Sequence, residues 1–244
     1  MKYILILIHK LFLKNTLMKQ KFTILFDLDG TLVDTAPDLM LAHNHVMKKF
    51  GYSTKSTNDI RNLMGQGAGS MIGKSIWGQA KKEFGQINDQ KIKDEMVNEF
   101  INFYGKNILK ESTLIKGVKE FLIWCKKQNI SMAVCTNKTE HLAVDLLKKI
   151  GIYDYFEYVA GHNTFEYCKP DPRHITSIIE ILDGDIKKSL MIGDSETDAN
   201  AAKAAEIPVI LLENGYTEKN SDEIYHNHLV KDFINIDKIV SKYL

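Results

Sequence analysis

Residues 22–31 read FTILFDLDGT, an apolar run that ends in two aspartates, Asp27 and Asp29, followed by a glycine and a threonine. A short apolar run of this kind predicts a strand that is buried on both faces of a parallel sheet. Open α/β sheets bind their ligands beyond the carboxyl ends of such strands. Two carboxylates about 4 Å apart, at an effective dielectric constant of about 20, repel each other by about 4 kcal/mol. The pair therefore needs either a shared proton or a bound cation.

The rest of the chain repeats this pattern of short apolar runs. Further strands are predicted at residues 131–135, 158–160, 189–192 and 208–212, and helical patterns lie between them. Alternating strands and helices predict βαβ units with a parallel sheet. The predicted fold class is therefore α/β, with a doubly wound, Rossmann-like parallel sheet as its core.

One interval does not fit this alternation. Asp27 and Thr136 are 109 residues apart, whereas a βαβ unit takes about 30 residues, so that about 80 residues are inserted after the first strand. The inserted residues follow helical patterns and contain no convincing strand. We predict a core domain of residues 21–34 and 111–244, a helical cap domain of residues 35–110, and hinges at 33–34 and 110–112. In the cap, His43 and His45 are expected at the surface. Residues 1–20 are predicted to be an N-terminal extension outside the fold.

Composition excludes several classes of protein. The net charge of the 244 residues is +1, so no global field favours nucleic acid or a membrane surface. No apolar stretch is long enough to span a bilayer. The three cysteines, Cys125, Cys135 and Cys168, have no paired spacing, which is typical of free thiols in a reducing compartment. We expect a cytoplasmic protein without stable membrane association, either a monomer or a homodimer.

Four polar motifs follow predicted strands, and in a parallel sheet they meet at one edge. They are Asp27-x-Asp29-Gly-Thr, Thr136-Asn137, Lys169-Pro-Asp-Pro and Gly-Asp194-Ser-Glu-Thr-Asp198. Carboxylates without neighbouring His or Cys suit a hard cation such as Mg²⁺. A lysine, a hydroxyl and exposed amides suit the oxygens of a phosphate. Together these groups are typical of a phosphoryl-transfer site, where charge neutralisation and positioning carry most of the catalysis.

In this combination and order, the four motifs resemble those of the haloacid dehalogenase-like hydrolase superfamily, from about Phe22 to the end of the chain. The resemblance implies that Asp27 is the nucleophile, which forms an aspartyl-phosphate, and that Asp29 is the general acid and base. It implies phosphate binding by Thr136, Asn137 and Lys169. It also implies that Mg²⁺ is held by Asp27, the backbone carbonyl of Asp29 and Asp194, with Asp198 behind them. An aspartate at position 29 is typical of phosphotransfer members and argues against a dehalogenase.

The substrate depends on the cap, because a cap closes over the site and excludes water. Residues 34–39 and 60–69 resemble the same segments of bacterial phosphoglycolate phosphatases, which implies a small phosphorylated metabolite, 2-phosphoglycolate, as substrate. Pyrophosphatases, nucleotidases and sugar-phosphate phosphatases of the superfamily stay open as alternatives. A β-phosphoglucomutase is disfavoured, because the expected Arg is missing after residues 63–65.

An alternative from another class is a phospho-aspartate signalling module. Such modules share the doubly wound fold and the aspartyl-phosphate. The long insert after the first strand and the second aspartate, Asp29, both argue against this alternative.

Overall fold

A computed structural model describes residues 21–61, 63, 65, 67–83, 90–213, 215–217 and 219–244. The predicted N-terminal extension, residues 1–20, lies outside this part of the chain. Within it, no helix combines the length and the apolar character needed to cross a membrane.

The described residues form short strands that alternate with helices. The strands are β1 (Thr23–Phe26), β2 (Val33–Asp34), β3 (Thr113–Leu114), β4 (Ser131–Cys135), β5 (Tyr158–Ala160), β6 (Ser189–Gly193), β7 (Val209–Leu212) and β8 (His228–Val230). The α-helices are α1 (Ala36–Lys49), α2 (Thr57–Arg61), α3 (Ala68–Glu83), α4 (Gln90–Lys106), α5 (Val118–Lys127), α6 (Glu140–Lys149), α7 (Pro172–Ile181), α8 (Glu196–Ala204) and α9 (Ile236–Val240). Short 3₁₀ turns lie at Tyr153–Tyr155, Ile186–Lys188 and Ser221–Glu223.

Strand β1 lies inside a six-stranded sheet of order β5-β4-β1-β6-β7-β8. Every neighbouring pair in this sheet is parallel. Thr23 of β1 is in register with Ser131 of β4 and Ser189 of β6, so the three strands begin level with one another. Their carboxyl ends therefore lie side by side. This arrangement confirms the predicted α/β fold class with a parallel sheet.

Apolar side chains cover both faces of the sheet. Ile24 and Phe26 of β1 belong to one apolar cluster and Leu25 to another, because successive side chains of a strand point to opposite faces. The Leu25 cluster contains residues of α7 and α8. The Phe26 cluster contains Phe121 of α5 and continues through the inserted helices to Tyr104 of α4. All four residues of β1, Thr23 included, are fully buried, which agrees with the predicted buried strand.

Two features of the sheet differ from the sequence predictions. Strand β8 was not predicted, because His228–Val230 is a half-buried edge strand with no apolar run. Lys169 was expected directly after a strand, but eight residues separate it from Ala160, where β5 ends. A loop and not a strand end therefore carries this lysine to the site.

The four helices α1–α4 form an insert between β2 and β3, here called the helical insert. Strands β2 and β3 pair antiparallel, with Val33 opposite Leu114 and Asp34 opposite Thr113. The two segments through which the chain enters and leaves the insert therefore run beside each other. Independent movement of this insert as a cap domain stays a prediction.

One expectation about the insert is wrong. His43 was expected at the surface, but it is fully buried, and its Nε2 lies 2.8 Å from the Ser75 hydroxyl of α3. The polar partner on the neighbouring helix allows the imidazole to be buried. His45 stacks on Phe103 of α4 and is half-buried.

Asp38, in the first turn of α1, joins the two ends of the insert. Its fully buried carboxylate accepts hydrogen bonds from the backbone N–H groups of Lys110, Glu111 and Ser112 at 2.9–3.0 Å, and from the Ser112 hydroxyl at 2.6 Å. Residues 110–112 form the returning segment, directly before β3. A single carboxylate thus accepts hydrogen bonds from the backbone N–H groups of residues 110–112, which lie outside the strands and helices.

Replacing Asp38 by alanine is expected to lower the free energy of unfolding by about 2–4 kcal/mol, because buried donors would lose their acceptor. Chemical denaturation of the purified variant measures this change. The matched control is Asp145→Ala, which removes an exposed aspartate that pairs with Lys149 and is expected to cost about 0.5 kcal/mol. Equal losses in the two variants would contradict the role given to Asp38.

His174 of α7 is a second buried polar group of the fold. The side chain is fully buried, its Nδ1 accepts a hydrogen bond from the backbone N–H of Lys169 at 3.3 Å, and Phe165 packs edge-on at 5.7 Å between ring centroids. Burial, followed by the nearby charge of Lys169, lowers the pKa of His174 from 6.5 to about 3, although Asp171 opposes this shift. The imidazole is therefore neutral in the folded protein.

Because the folded pKa of His174 lies below the unfolded value, the unfolded chain binds the extra proton between about pH 6.5 and pH 3. The free energy of unfolding should therefore decrease as the pH is lowered from about 6.5 to about 3. This group contributes up to about 1.4 kcal/mol per pH unit to the decrease. Chemical denaturation at several pH values gives the free energy of unfolding of wild type and of His174→Asn. The difference between the two free energies should change with pH by this slope. Exposed His141, replaced in the same way, is the control, and a constant difference for His174→Asn would contradict the prediction.

Candidate active site

The end of β1 places Asp27 inside the sheet edge. The backbone N–H of Asp27 donates to the Ile192 carbonyl of β6 at 2.9 Å, so this residue continues the pairing of the central strands. The chain then turns sharply, and Gly30 in this turn has φ +83°. A Cβ atom at Gly30 would collide with the carboxylate of Asp194, so only glycine allows this close approach. The turn thus brings the first and fourth motifs into contact.

Asp194 follows β6 and is held by donors from distant parts of the chain. Its Oδ1 accepts from the Thr31 hydroxyl at 3.0 Å, and its Oδ2 accepts from the backbone N–H of Tyr216 at 2.7 Å. Asp194 is buried, with 1% of the residue's surface exposed. These bonds fix its orientation toward Asp27.

Asp198 lies at the start of α8, where it takes part in a capping box with Ser195. Its Oδ2 accepts from the backbone N–H groups of Asp194 and Ser195, both at 3.1 Å, and from the Ser195 hydroxyl at 2.8 Å. Its Oδ1 accepts from the ammonium of Lys169 at 2.6 Å. Both oxygens of Asp198 are therefore already engaged by protein donors.

Lys169 lies between Asp27 and Asp198 and contacts both. Its buried ammonium lies 3.0 Å from Asp27 Oδ1 and 2.6 Å from Asp198 Oδ1. Burial alone would lower the pKa of Lys169, but the charges of Asp198 and Asp27 outweigh burial and raise it. The lysine is therefore a fixed positive charge between two carboxylates.

The carboxylates still exceed the cations at this edge. Burial, the largest effect, raises the pKa of Asp27 from 3.8 to about 6, against the opposing charge of Lys169. Burial and the neighbouring charges of Asp198 and Asp27 raise the pKa of Asp194 well above its usual value. Such shifts mean that ionising both groups without a further cation is unfavourable.

The donor set fits a hard divalent cation. One ligand atom from each of Asp27, Asp194 and Asp198 lies within 4.8 Å of the others. Asp27 Oδ1 is buried and lacks a hydrogen bond of good geometry, although it lies at ion-pair distance from Lys169. Carboxylate oxygens are the ligands that Mg²⁺ prefers. Asp198 accepts from four donors, one of them the Lys169 ammonium, whereas each oxygen of Asp194 accepts one neutral hydrogen bond. Asp27 and Asp194 are therefore the carboxylates better placed to ligate an ion.

Thr136 and Asn137 follow β4, beside Asp27. Thr136 is buried and its hydroxyl oxygen accepts from the backbone N–H of Lys138 at 3.1 Å. The Asn137 amide donates to the Lys169 carbonyl at 2.9 Å and to the Gly65 carbonyl of the insert at 3.3 Å. The remaining polar side-chain atom of Asn137, Oδ1, is an acceptor and cannot donate a hydrogen bond to a phosphate oxygen. Phosphate binding at Asn137 stays a prediction and would need its backbone N–H.

Asp29 has different partners from Asp27. Lys138 donates to both of its oxygens, at 2.8 Å to Oδ1 and 3.1 Å to Oδ2, and the Thr35 hydroxyl donates to Oδ1 at 2.7 Å. The same ammonium lies 3.0 Å from the hydroxyl of Tyr104, a fully buried residue of α4. The two aspartates of the first motif therefore lie in separate electrostatic environments, one set by Lys169 and one by Lys138.

Sequence reasoning missed Lys138 and Tyr104. Lys138 directly follows Thr136-Asn137 at the end of β4, and this position is compatible with a place in the site. A lysine there is equally compatible with solvent exposure. Tyr104 carried no such signal, because its position within a helical pattern predicts only packing. The contact between these two residues depends on how the insert lies against the core.

A cavity of about 480 Å³ lies between the carboxyl edge of the sheet and the helical insert. Its lining includes Asp27, Asp29, Thr136 and Lys138 from the core and Gly67 and Tyr104 from the insert. A cavity of this size with a few polar groups at one end suits a small molecule.

A second network ties the entrance of the insert to the core. The Tyr216 hydroxyl donates to Asp34 Oδ1 at 2.7 Å and accepts from the backbone N–H groups of Thr35 and Ala36, both at 2.8 Å. Arg61 of α2 binds both oxygens of Asp34, at 2.9 and 2.7 Å. Burial opposes ionisation of Asp34, but the hydrogen bonds from Tyr216 and Arg61 outweigh it and lower its pKa. Asp34 is therefore a charged anchor at the start of the insert.

The structure thus brings Asp27, Lys169, Asp194 and Asp198 into direct contact and places Asp29, Thr136 and Asn137 around them. The convergence of the aspartates, Thr136 and Asn137 follows from the level carboxyl ends of β4, β1 and β6, whereas the loop after β5 carries Lys169 to them. The chemical roles that the sequence implies for them stay predictions.

Comparison with known proteins agrees with this geometry. Residues 24–212 match the family described as haloacid dehalogenase-like hydrolase. A phosphoglycolate phosphatase from Agrobacterium fabrum is 39% identical over 223 residues, which cover 89% of this chain and 94% of that protein. A phosphoglycolate phosphatase from Mesorhizobium japonicum is 36% identical and covers 86% of this chain and 90% of its own length.

A solved structure is also similar along almost the whole chain. The crystal structure of a predicted phosphoglycolate phosphatase from Haemophilus somnus aligns with a TM-score of 0.85 and 30% identity, covering 91% of this chain and 99% of that one. The family resemblance inferred from the four motifs is confirmed. The chain belongs to the haloacid dehalogenase-like hydrolases, and it is an enzyme related to phosphoglycolate phosphatases.

Proposed function

We propose that this enzyme is a Mg²⁺-dependent phosphomonoesterase that works through an aspartyl-phosphate on Asp27, and that its substrate is 2-phosphoglycolate. The observation that carries the proposal is the separation of the two aspartates. Asp27 lies among Lys169, Asp194 and Asp198, whereas Asp29 lies in the cavity beside Lys138. Two carboxylates with different surroundings can take different roles.

In the first step, an oxygen of Asp27 attacks phosphorus and the bond from phosphorus to the leaving oxygen breaks. Asp29 must hold a proton when the substrate is bound, and it delivers this proton to the leaving oxygen, so that glycolate leaves as an alcohol. In the second step, water attacks the aspartyl-phosphate while Asp29 takes its proton, which regenerates Asp27 and releases phosphate. Lys169 stays in place and offsets negative charge at Asp27 throughout.

Asp27, the Asp29 backbone carbonyl and Asp194 are the proposed ligands of Mg²⁺, with Asp198 behind them. A bound Mg²⁺ would neutralise charge on the phosphoryl oxygens and favour the ionised form of Asp27. Thr136 and Lys169 are proposed to contact the phosphoryl group, together with backbone N–H groups after β4.

The choice of 2-phosphoglycolate rests on the relatives and on the size of the cavity. The two relatives described above carry the name phosphoglycolate phosphatase, and a cavity of about 480 Å³ suits a small metabolite. Family membership favours a hydrolase over a phospho-aspartate signalling module. The free thiols of Cys125, Cys135 and Cys168 favour a reducing, cytoplasmic location.

A phosphate-release screen tests the proposed function. The purified protein with Mg²⁺ is expected to hydrolyse 2-phosphoglycolate with a kcat/KM at least tenfold above that for pyrophosphate, nucleoside monophosphates and hexose phosphates. EDTA should stop turnover, since the carboxylate cluster would lose its cation, and added Mg²⁺ should restore it. A tenfold preference for another compound, about 1.4 kcal/mol, would exclude 2-phosphoglycolate as the substrate but would still agree with a phosphatase. Turnover in the presence of EDTA would contradict the proposed metal dependence.

Asp27→Asn is expected to abolish turnover, because the amide is a far weaker nucleophile than the carboxylate. Phosphate release measures the loss, and thermal unfolding checks that the variant folds. Asp171→Asn is the control, since Asp171 lies in the same motif as Lys169 but caps α7 through Arg173 at the surface. Retained turnover in Asp27→Asn would exclude Asp27 as the nucleophile.

A further inference from the structure

Lys138 is a buried cation that the mechanism above does not use. Its side chain is 5% exposed, and its ammonium contacts Asp29 Oδ1 at 2.8 Å, Asp29 Oδ2 at 3.1 Å and the Tyr104 hydroxyl at 3.0 Å. Burying an ammonium is costly unless it is paired and hydrogen-bonded. The pairing with Asp29 offsets this cost, so the lysine and the aspartate constrain each other.

The contact with both carboxylate oxygens has a geometric consequence. A single donor that bridges Oδ1 and Oδ2 fixes the plane of the carboxylate as well as its position. Proton transfer to a leaving group requires a heavy-atom distance of about 2.6–3.2 Å and a defined direction. The Thr35 hydroxyl donates to Oδ1 at 2.7 Å, but Lys138 is the donor that contacts both oxygens, so it is Lys138 that fixes the plane of this otherwise rotatable side chain.

Tyr104 makes this orientation depend on the helical insert. The tyrosine belongs to α4, is fully buried, and stacks on Phe100 of the same helix at 5.9 Å between ring centroids. Its ring also lies 4.4 Å from the ammonium of Lys138. A hydroxyl and an aromatic ring from the insert thus hold a lysine whose other partner is on the core.

Resting on the proposed function, we propose that Lys138 is a positioning residue that orients Asp29 for proton transfer, and that Tyr104 couples this orientation to the position of the insert. Asp29 is fully oriented only when α4 lies against the core and the cavity is covered. Proton transfer to the leaving group is thereby confined to the enclosed site.

The test compares two leaving groups in Lys138→Met and Tyr104→Phe. For 2-phosphoglycolate, whose leaving alkoxide needs a proton, kcat is expected to fall about 100-fold in Lys138→Met, within the range that general acid–base catalysis contributes. With acetyl phosphate or p-nitrophenyl phosphate, whose leaving groups need no proton, the loss should be less than tenfold. KM should change by less than threefold. Tyr104→Phe, which keeps the ring and its stacking, should show the same pattern with a loss of about tenfold.

Double variants and a matched control complete the test. Lys138→Met should cause no further loss in an Asp29→Asn background, and Tyr104→Phe none in a Lys138→Met background. Lys149→Met is the control, because it removes a lysine that pairs with Asp145 at the same 2.8 Å but at the surface, and its kinetics should match wild type.

Three outcomes would overturn the inference. Equal losses on all substrates would indicate a structural role for Lys138, a raised KM with unchanged kcat would indicate that Lys138 binds the substrate itself, and additive losses in the double variants would exclude action through Asp29. Failure of the proposed function is distinguishable, since wild type would then release no phosphate from any of these substrates with Mg²⁺.

Discussion

The charge balance at the carboxyl edge of the sheet is the constraint on which the rest of the site depends. Four carboxylates, Asp27, Asp29, Asp194 and Asp198, converge where β1 and β6 end, and two buried ammonium groups, Lys169 and Lys138, lie among them. Neither lysine could be buried without these carboxylates, and the carboxylates could not be packed so closely without the lysines. The remaining excess of negative charge is what makes a divalent cation fit. The arrangement also divides the site into a half around Asp27, with Lys169, and a half around Asp29, with Lys138.

Much of this could be predicted from the sequence, because parallel strands leave little freedom. An apolar run buried on both faces identifies β1, and neighbouring parallel strands must present their carboxyl ends together, so the meeting of Asp27, Thr136 and Asp194 follows from the fold class. The rest depends on contacts that local patterns do not encode. The pairing of β2 with β3, the Asp38 carboxylate and the contact of Tyr104 with Lys138 all join segments about 30 to 80 residues apart. His43 was placed wrongly for the same reason, since its partner Ser75 lies on another helix.

The helical insert is joined to the core more closely than a tethered lid would be. Asp38 and the β2–β3 pair hold the entering and returning segments together, and the apolar cluster on one face of the sheet continues into the insert. Around the cavity, the insert contributes Tyr104 to the Asp29 half of the site and the Gly65 carbonyl to Asn137. Any movement of the insert away from the core must therefore break these polar contacts and separate part of the shared apolar cluster.

The central position of β1 has a consequence for the order in which the protein is made. β1 is the first strand among the described residues, yet its neighbours β4 and β6 are translated more than 100 and more than 160 residues later. The Thr31–Asp194 hydrogen bond spans 163 positions and the Thr35–Tyr216 bond spans 181. Helices of the insert can form local contacts during translation, but the three apolar residues of β1 have no strand to pair with until β4 and β6 are made. Synthesis therefore passes through a stage at which the central strand and the two aspartates that follow it have emerged without a sheet, and the site is assembled only after the last third of the chain has been made.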